Sequence, residues 1–190
     1  IKDYALYELP EIYSYYKMIY ISGTGPEYAQ ATKKLELLNA ALGRKKQVQM
    51  RVLVFQNQPI EAALKQEAYW QGGNKNEFTV CVGVDKDYNV KWSHVISWTE
   101  VELLKIKVRD YVRSMGKLNL EKVVDYMGEE VDKSFTRKNF EDFNYLQIEL
   151  PTWVHFLSFI LCVLITIGVN FWAVTNDCAD NYNRSFRRYL

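Results

Sequence analysis

Hydrophobic and polar positions divide the chain into a long patterned part and a short continuous apolar part. Ala31, Leu35, Leu38 and Leu42 recur at spacings of 4, 3 and 4, the stripe of an amphipathic helix. Pro26 suits its first turn and Gly43 its carboxyl-terminal stop, so a helix is predicted from 26 to 42. Residues 48–55 (VQMRVLVF) read as a buried strand. Pro59 then starts a second helix with Ile60, Ala63, Leu64 and Ala68 inward, stopped by Gly72 and Gly73.

Alternation follows. Phe78, Val80, Val82 and Val84 share one face of a strand, with Thr79, Cys81 and Gly83 on the other. After a polar turn at 85–89, Val90, Trp92, His94, Ile96 and Trp98 share a face, so the two strands form a hairpin. Thr99 and Glu102 have the spacing of a capping box ahead of a helix that buries Val101, Leu104, Val108, Tyr111, Val112 and Met115. Gly116 breaks that helix. Asn119 caps another, with Leu120, Val123, Val124, Met127, Val131 and Phe135 inward. The helix between the first two strands implies a right-handed crossover. The whole predicts a small α/β sandwich with a central mixed sheet.

The apolar part is 151–176, which holds no charged side chain. Residues 153–174 (WVHFLSFILCVLITIGVNFWAV) would span roughly 33 Å as a helix, against a hydrocarbon core of about 30 Å. Trp153 and Trp172 sit near the two ends, where interfacial aromatics belong. A single transmembrane helix is the expectation, with the lipid bilayer as its partner. The chain then divides into a Tyr-rich segment (1–25, irregular), an α/β domain (26–135), a juxtamembrane linker (136–152), the span (153–174) and a basic tail (175–190).

Within the span, Ser158, Cys162, Thr166 and Asn170 recur every four residues, and His155 begins the same side. Small and polar residues at this spacing let helices approach and hydrogen-bond, so the stripe is expected to face other membrane-protein subunits. The alternative is that its side chains bond their own backbone carbonyls. Arg184, Arg187 and Arg188 follow the span closely, whereas Lys133, Arg137 and Lys138 lie further off among Glu141, Asp142 and Glu149. This asymmetry favours a cytoplasmic or matrix-side tail and a periplasmic, lumenal or intermembrane domain. A targeting segment removed ahead of Ile1 would fit that arrangement, and a tail-anchored protein with a cytosolic domain would reverse it.

Charge and composition narrow the chemistry. The chain has 24 basic and 23 acidic residues, net +1, and its basic clusters are short, which argues against nucleic acid as a partner. Three cysteines without a CxxC pair and two histidines offer no zinc or redox motif. Cys81 reads as a packed, inert thiol and His94 as a hydrogen-bonded face residue. Neither G-x-S-x-G nor GxxxxGK[ST] occurs. Asp85 and Asp87 in the hairpin turn could supply oxygens to Ca²⁺ or Mg²⁺, together with Asn74 and Asn76 placed at the same sheet end.

The runs PEYAQATKKLELLNAALG, VQMRVLVFQ and AYWQGGNKNEFTVCVGVDKDYNVKWSHV resemble a TPM domain over about 26–98. Trp70 and Gly73 match its Trp-x-x-Gly position, Lys75 and Asn76 the residues before the next strand, and Asp85 and Asp87 its acidic hairpin turn. Glu77 stands where that family has glycine. The resemblance implies an extracytoplasmic or lumenal domain, often with a C-terminal membrane helix. Members include accessory factors of membrane complexes and weak phosphatases with divalent-metal sites, and the metal role would fall on Asn76, Asp85 and Asp87. Two functions are therefore expected in order: a non-enzymatic, membrane-anchored accessory, assembly or structural subunit of a larger complex, and, second, a weak divalent-metal-dependent phosphatase of the TPM type.

Overall fold

The structure is a computed structural model that describes residues 4–9, 18–139, 141 and 151–176. The chain forms two compact units, Ile1–Asp142 and Phe143–Leu190.

The first unit is the expected α/β sandwich. Its elements are β1 (Ile21–Ser22), α1 (Tyr28–Lys46), β2 (Gln49–Gln56), α2 (Glu61–Tyr69), β3 (Glu77–Val84), β4 (Val90–Ser97), α3 (Glu102–Ser114) and α4 (Leu120–Ser134). The sheet order is β1-β2-β3-β4, with the first two pairings parallel and the hairpin β3/β4 antiparallel. Both faces of β3 are buried, as its dense apolar sequence requires. Met50, Val52, Val54, Phe78, Val80 and Val82 face the larger core, closed by α1, α3 and α4. Leu53, Phe55, Cys81, Trp92 and Ile96 face the smaller one, closed by α2 through Ala62, Ala63 and Trp70. The strands thus advance in one direction while α1 and α2 cover opposite faces. The two parallel crossovers are therefore of opposite hand, and only one follows the right-handed rule.

Several local expectations change. Gly43 does not stop α1, which runs on to Lys46 and ends where Gln47 takes the left-handed conformation (φ 54°) and donates its N–H to the Gly43 carbonyl. Residues 1–25 are not irregular throughout, because Ile21 and Ser22 pair with Val52 and Leu53. The run was too short to show a period. In α2 the inward residues are Ala62, Ala63 and Gln66, while Ile60, Leu64 and Ala68 are exposed. The reason is Gln66, whose side-chain amide exchanges two hydrogen bonds with the backbone of Tyr7. That contact turns the polar residue inward and lays the amino-terminal segment over the smaller core, where Tyr7 also accepts from Trp70 Nε1. The capping box at Thr99 and Glu102 does not form: Val101 is the N-cap, and the Thr99 hydroxyl donates to the Thr136 carbonyl. Asn119 caps α4 as expected, accepting from the Lys122 N–H at 2.9 Å.

The second unit contains α5 (Thr152–Thr175), 24 residues with mean hydropathy 2.3 in its best window. It is long and apolar enough to cross a membrane, and none of its residues is buried by the chain itself. The tail from 177 onward, with its three arginines and Cys178, lies outside the described residues, as do linker residues 142–150.

Candidate functional site

The candidate metal residues do not meet. β3 is eight residues long, and Asn76 precedes it while Asp85 follows it. At about 3.3 Å per residue they stand roughly 30 Å apart, at opposite ends of the sheet. The expectation of one shared end is therefore corrected. It rested on treating the turns before and after one strand as neighbours, whereas an intact strand keeps them apart.

Asp85 is committed within its own turn. One carboxylate oxygen accepts the N–H groups of Asp87 and Asn89, both at 2.9 Å, and the other accepts Asn89 Nδ2 at 2.9 Å. Lys91 Nζ lies 3.0 Å from the same carboxylate. These donors, led by Asn89, hold the Asp85 carboxyl well below the usual carboxylate range. A divalent cation there would meet the Lys91 ammonium and displace three bonds that shape the turn. The donor set fits a turn and not a Ca²⁺ or Mg²⁺ site. Among the described residues no group of three or more His, Cys, Asp or Glu is placed to hold a metal.

Cys81 is fully buried beside its cross-strand partner His94, and burial pushes its thiol far above the ordinary range. His94 Nε2 lies 2.7 Å from Glu67 Oε2, tying β4 to α2. The Cys81 and His94 readings thus hold in place and contact.

A charged pair that periodicity overlooked lies on the α2 side of the sheet. Arg51 and Glu77 are almost fully buried, with Arg51 Nε 3.6 Å from Glu77 Oε1. Arg51 donates to the Ile19 carbonyl and to Gln49 Oε1, both at 3.1 Å. Burial draws its pKa down, opposed by the charge of Glu77. The signal was present in the sequence as one arginine inside VQMRVLVF.

A cavity of about 890 Å³ opens at the amino-terminal edge of β2 and β3 and is lined by Tyr20, Glu36, Gln49, Asn76 and Arg137 among others. Asn76 belongs to this cavity. Arg137 reaches it because its backbone bridges Thr99 just beyond β4. From sequence alone Arg137 falls in the juxtamembrane linker and counts only toward the charge balance around the span.

On α5 the polar stripe bonds its own backbone. Ser158 donates to Val154, Thr166 to Cys162 and Asn170 Nδ2 to Thr166, all at 2.8–2.9 Å. His155 and Cys162 are exposed on the same helix. The Ser158 and Thr166 hydroxyls and one Asn170 amide hydrogen are thus satisfied one turn back, which is the alternative of side chains bonding their own backbone carbonyls.

Comparison of the chain with protein-family models, with curated proteins and with solved structures finds no match, so the resemblance to TPM domains rests on the residues of 26–98 alone.

Proposed function

We infer that this chain is a single-pass membrane protein whose α/β domain serves as an accessory, assembly or structural subunit of a larger membrane complex, without catalysis of its own. The observation that carries the inference is α5: 24 residues, no charged side chain, and mean hydropathy 2.3, long and apolar enough to cross a membrane. Such a surface is stable only against lipid or other apolar helices. Side-chain hydrogen bonds to the preceding turn let Ser158, Thr166 and Asn170 lie in hydrocarbon at low cost. The side they share with His155 and Cys162 is narrow, so a neighbouring helix can approach it closely. Asn170 keeps its Oδ1 as an acceptor for such a neighbour. The arginines after the span support a tail on the cytoplasmic or matrix side and a domain on the other.

Solubilisation in mild detergent tests this directly. The chain should co-purify with other membrane proteins, and Asn170→Leu should weaken that association while the domain stays folded. Recovery as a lone monomer, indifferent to Asn170→Leu, would overturn the proposal. Protease protection of the domain in sealed membranes reports its side.

A further inference from the structure

The cavity at the amino-terminal edge of β2 and β3 has no part in the membrane proposal, and its wall is rich in unspent donors. Arg137 is half-buried there, and its guanidinium makes no hydrogen bond or ion pair among the described residues. The backbone around it is held firmly. Arg137 bridges Thr99, and the Thr136 carbonyl accepts the Glu100 N–H at 3.0 Å and the Thr99 hydroxyl at 3.1 Å. Two further donors end on a thioether: the Tyr20 hydroxyl lies 3.7 Å and Gln49 Nε2 3.3 Å from Met18 Sδ. Sulfur of this kind is a weak acceptor, so both groups gain when an oxygen replaces it. The carboxylate of the wall, Glu36, is on an exposed position of α1, where water screens it.

We propose that this cavity binds a phosphate-bearing ligand, with Arg137 as the anchoring contact and Tyr20 and Gln49 as supporting donors. A planar guanidinium matches the paired oxygens of phosphate or carboxylate. At about 890 Å³ the space exceeds a phosphate several-fold and falls in the range of small-molecule sites, so the ligand carries an organic body. That body is either a lipid, reached through the headgroup, or a free phosphate ester. The site lies within the α/β domain and stands whether or not the chain joins a complex.

The test uses the full chain in an uncharged detergent. Thermal unfolding is followed against inorganic phosphate, glycerol 3-phosphate and short-chain phosphatidic acid, with chloride at equal ionic strength as control. Saturable stabilisation by at least one phosphate compound and not by chloride is expected. Arg137→Ala should weaken it at least tenfold, Arg137→Lys less, and Glu36→Gln should leave it equal or tighter. Preference for phosphatidic acid over glycerol 3-phosphate identifies the lipid source, and the reverse identifies a soluble ester. Tyr20→Phe, which removes one hydroxyl and keeps the ring, should weaken binding several-fold even if the arginine variants fold poorly. Stabilisation no greater than with chloride, or binding unchanged in Arg137→Ala and Tyr20→Phe, would overturn the proposal.

Discussion

The indole of Trp92 on β4 lies directly over Gly83, its cross-strand partner on β3, in the space a side chain at that position would fill. Trp92 is held there from two sides, by the Phe55 ring at 5.7 Å and by its own Nε1–H donating to the Gln58 carbonyl at 2.8 Å. The strand is irregular at this point, with a register shift between Gly83 and Val84. Glycine inside a strand often marks such a close approach. Gly83→Ala should therefore destabilise the domain by about 1–3 kcal/mol through overpacking. Gly83→Ala placed in a Trp92→Leu background should cost much less, and a double-mutant cycle by chemical denaturation reads the difference.

Asn39 on α1 completes the sheet where β1 ends. β1 pairs only with Val52 and Leu53, which leaves Met50 facing the helix. The buried Asn39 amide donates to the Met50 carbonyl at 2.9 Å and accepts the Met50 N–H at 2.7 Å. Asn39→Leu orphans both groups and should cost roughly 2–5 kcal/mol. The Met50 amide proton should also lose hydrogen-exchange protection, whereas exposed α1 substitutions such as Leu37→Gln should leave it unchanged.

Glu77 and Arg51 form a pair whose partners are 4% and 2% exposed at the side chain. Glu77→Ala leaves the guanidinium buried without its counter-charge and should cost about 3–5 kcal/mol. Replacing both, as Arg51→Met with Glu77→Leu, should recover much of that loss. Equal destabilisation in the single and double variants would show that the carboxylate's bonds to Asn74, and not the pair, hold this region.

The Asp85 turn should loosen in acid. Its carboxyl is held below its ordinary value by Asn89, Lys91 and Asp87, so the folded turn favours the ionised form. The contribution to stability is full above the unfolded value of about 3.9 and is lost as pH falls through the lower folded value. The amide protons of Asp87 and Asn89 should hold their shifts through the ordinary aspartate range and move together only at more acidic pH in an NMR titration, and Asp85→Asn should remove that response.

Cys81 should resist thiol reagents until the domain unfolds. It is fully buried, and its pKa is raised far enough that thiolate is scarce at neutral pH. In a chain carrying Cys162→Ser and Cys178→Ser, labelling should track denaturation, and rapid labelling of the folded protein would contradict the packing described.

Residue pattern alone carried most of the secondary structure, because it depended on local periodicity. Ala31, Leu35 and Leu42 of α1, Leu104, Val108 and Val112 of α3 and the α4 stripe are buried as their spacing indicates, while Leu38, Val101, Tyr111 and Met115 are half-buried at the rim of the same core. Where a tertiary contact competed with that periodicity, it prevailed. Gln66 faces inward because Tyr7 comes to meet it, so Leu64 and Ile60 stay outside. Two residues at Ile21 and Ser22 become a strand because Val52 and Leu53 offer an open edge.

The candidate site was less legible for the same reason. Asn76 and Asp85 are nine positions apart in sequence, and only an unbroken β3 puts them at opposite ends of the sheet. Arg137 looked like linker until its bridge to Thr99 brought it to the cavity that Tyr20 and Gln49 line from elsewhere in the chain. The sequence by itself determined the α/β class and the uncharged helix of membrane-spanning length, since both follow from side-chain type and local spacing. The tertiary structure decided which crossover helix covers which face, which polar groups are buried together and where donors converge. Those depend on contacts between residues far apart in the chain, and no local pattern encodes them.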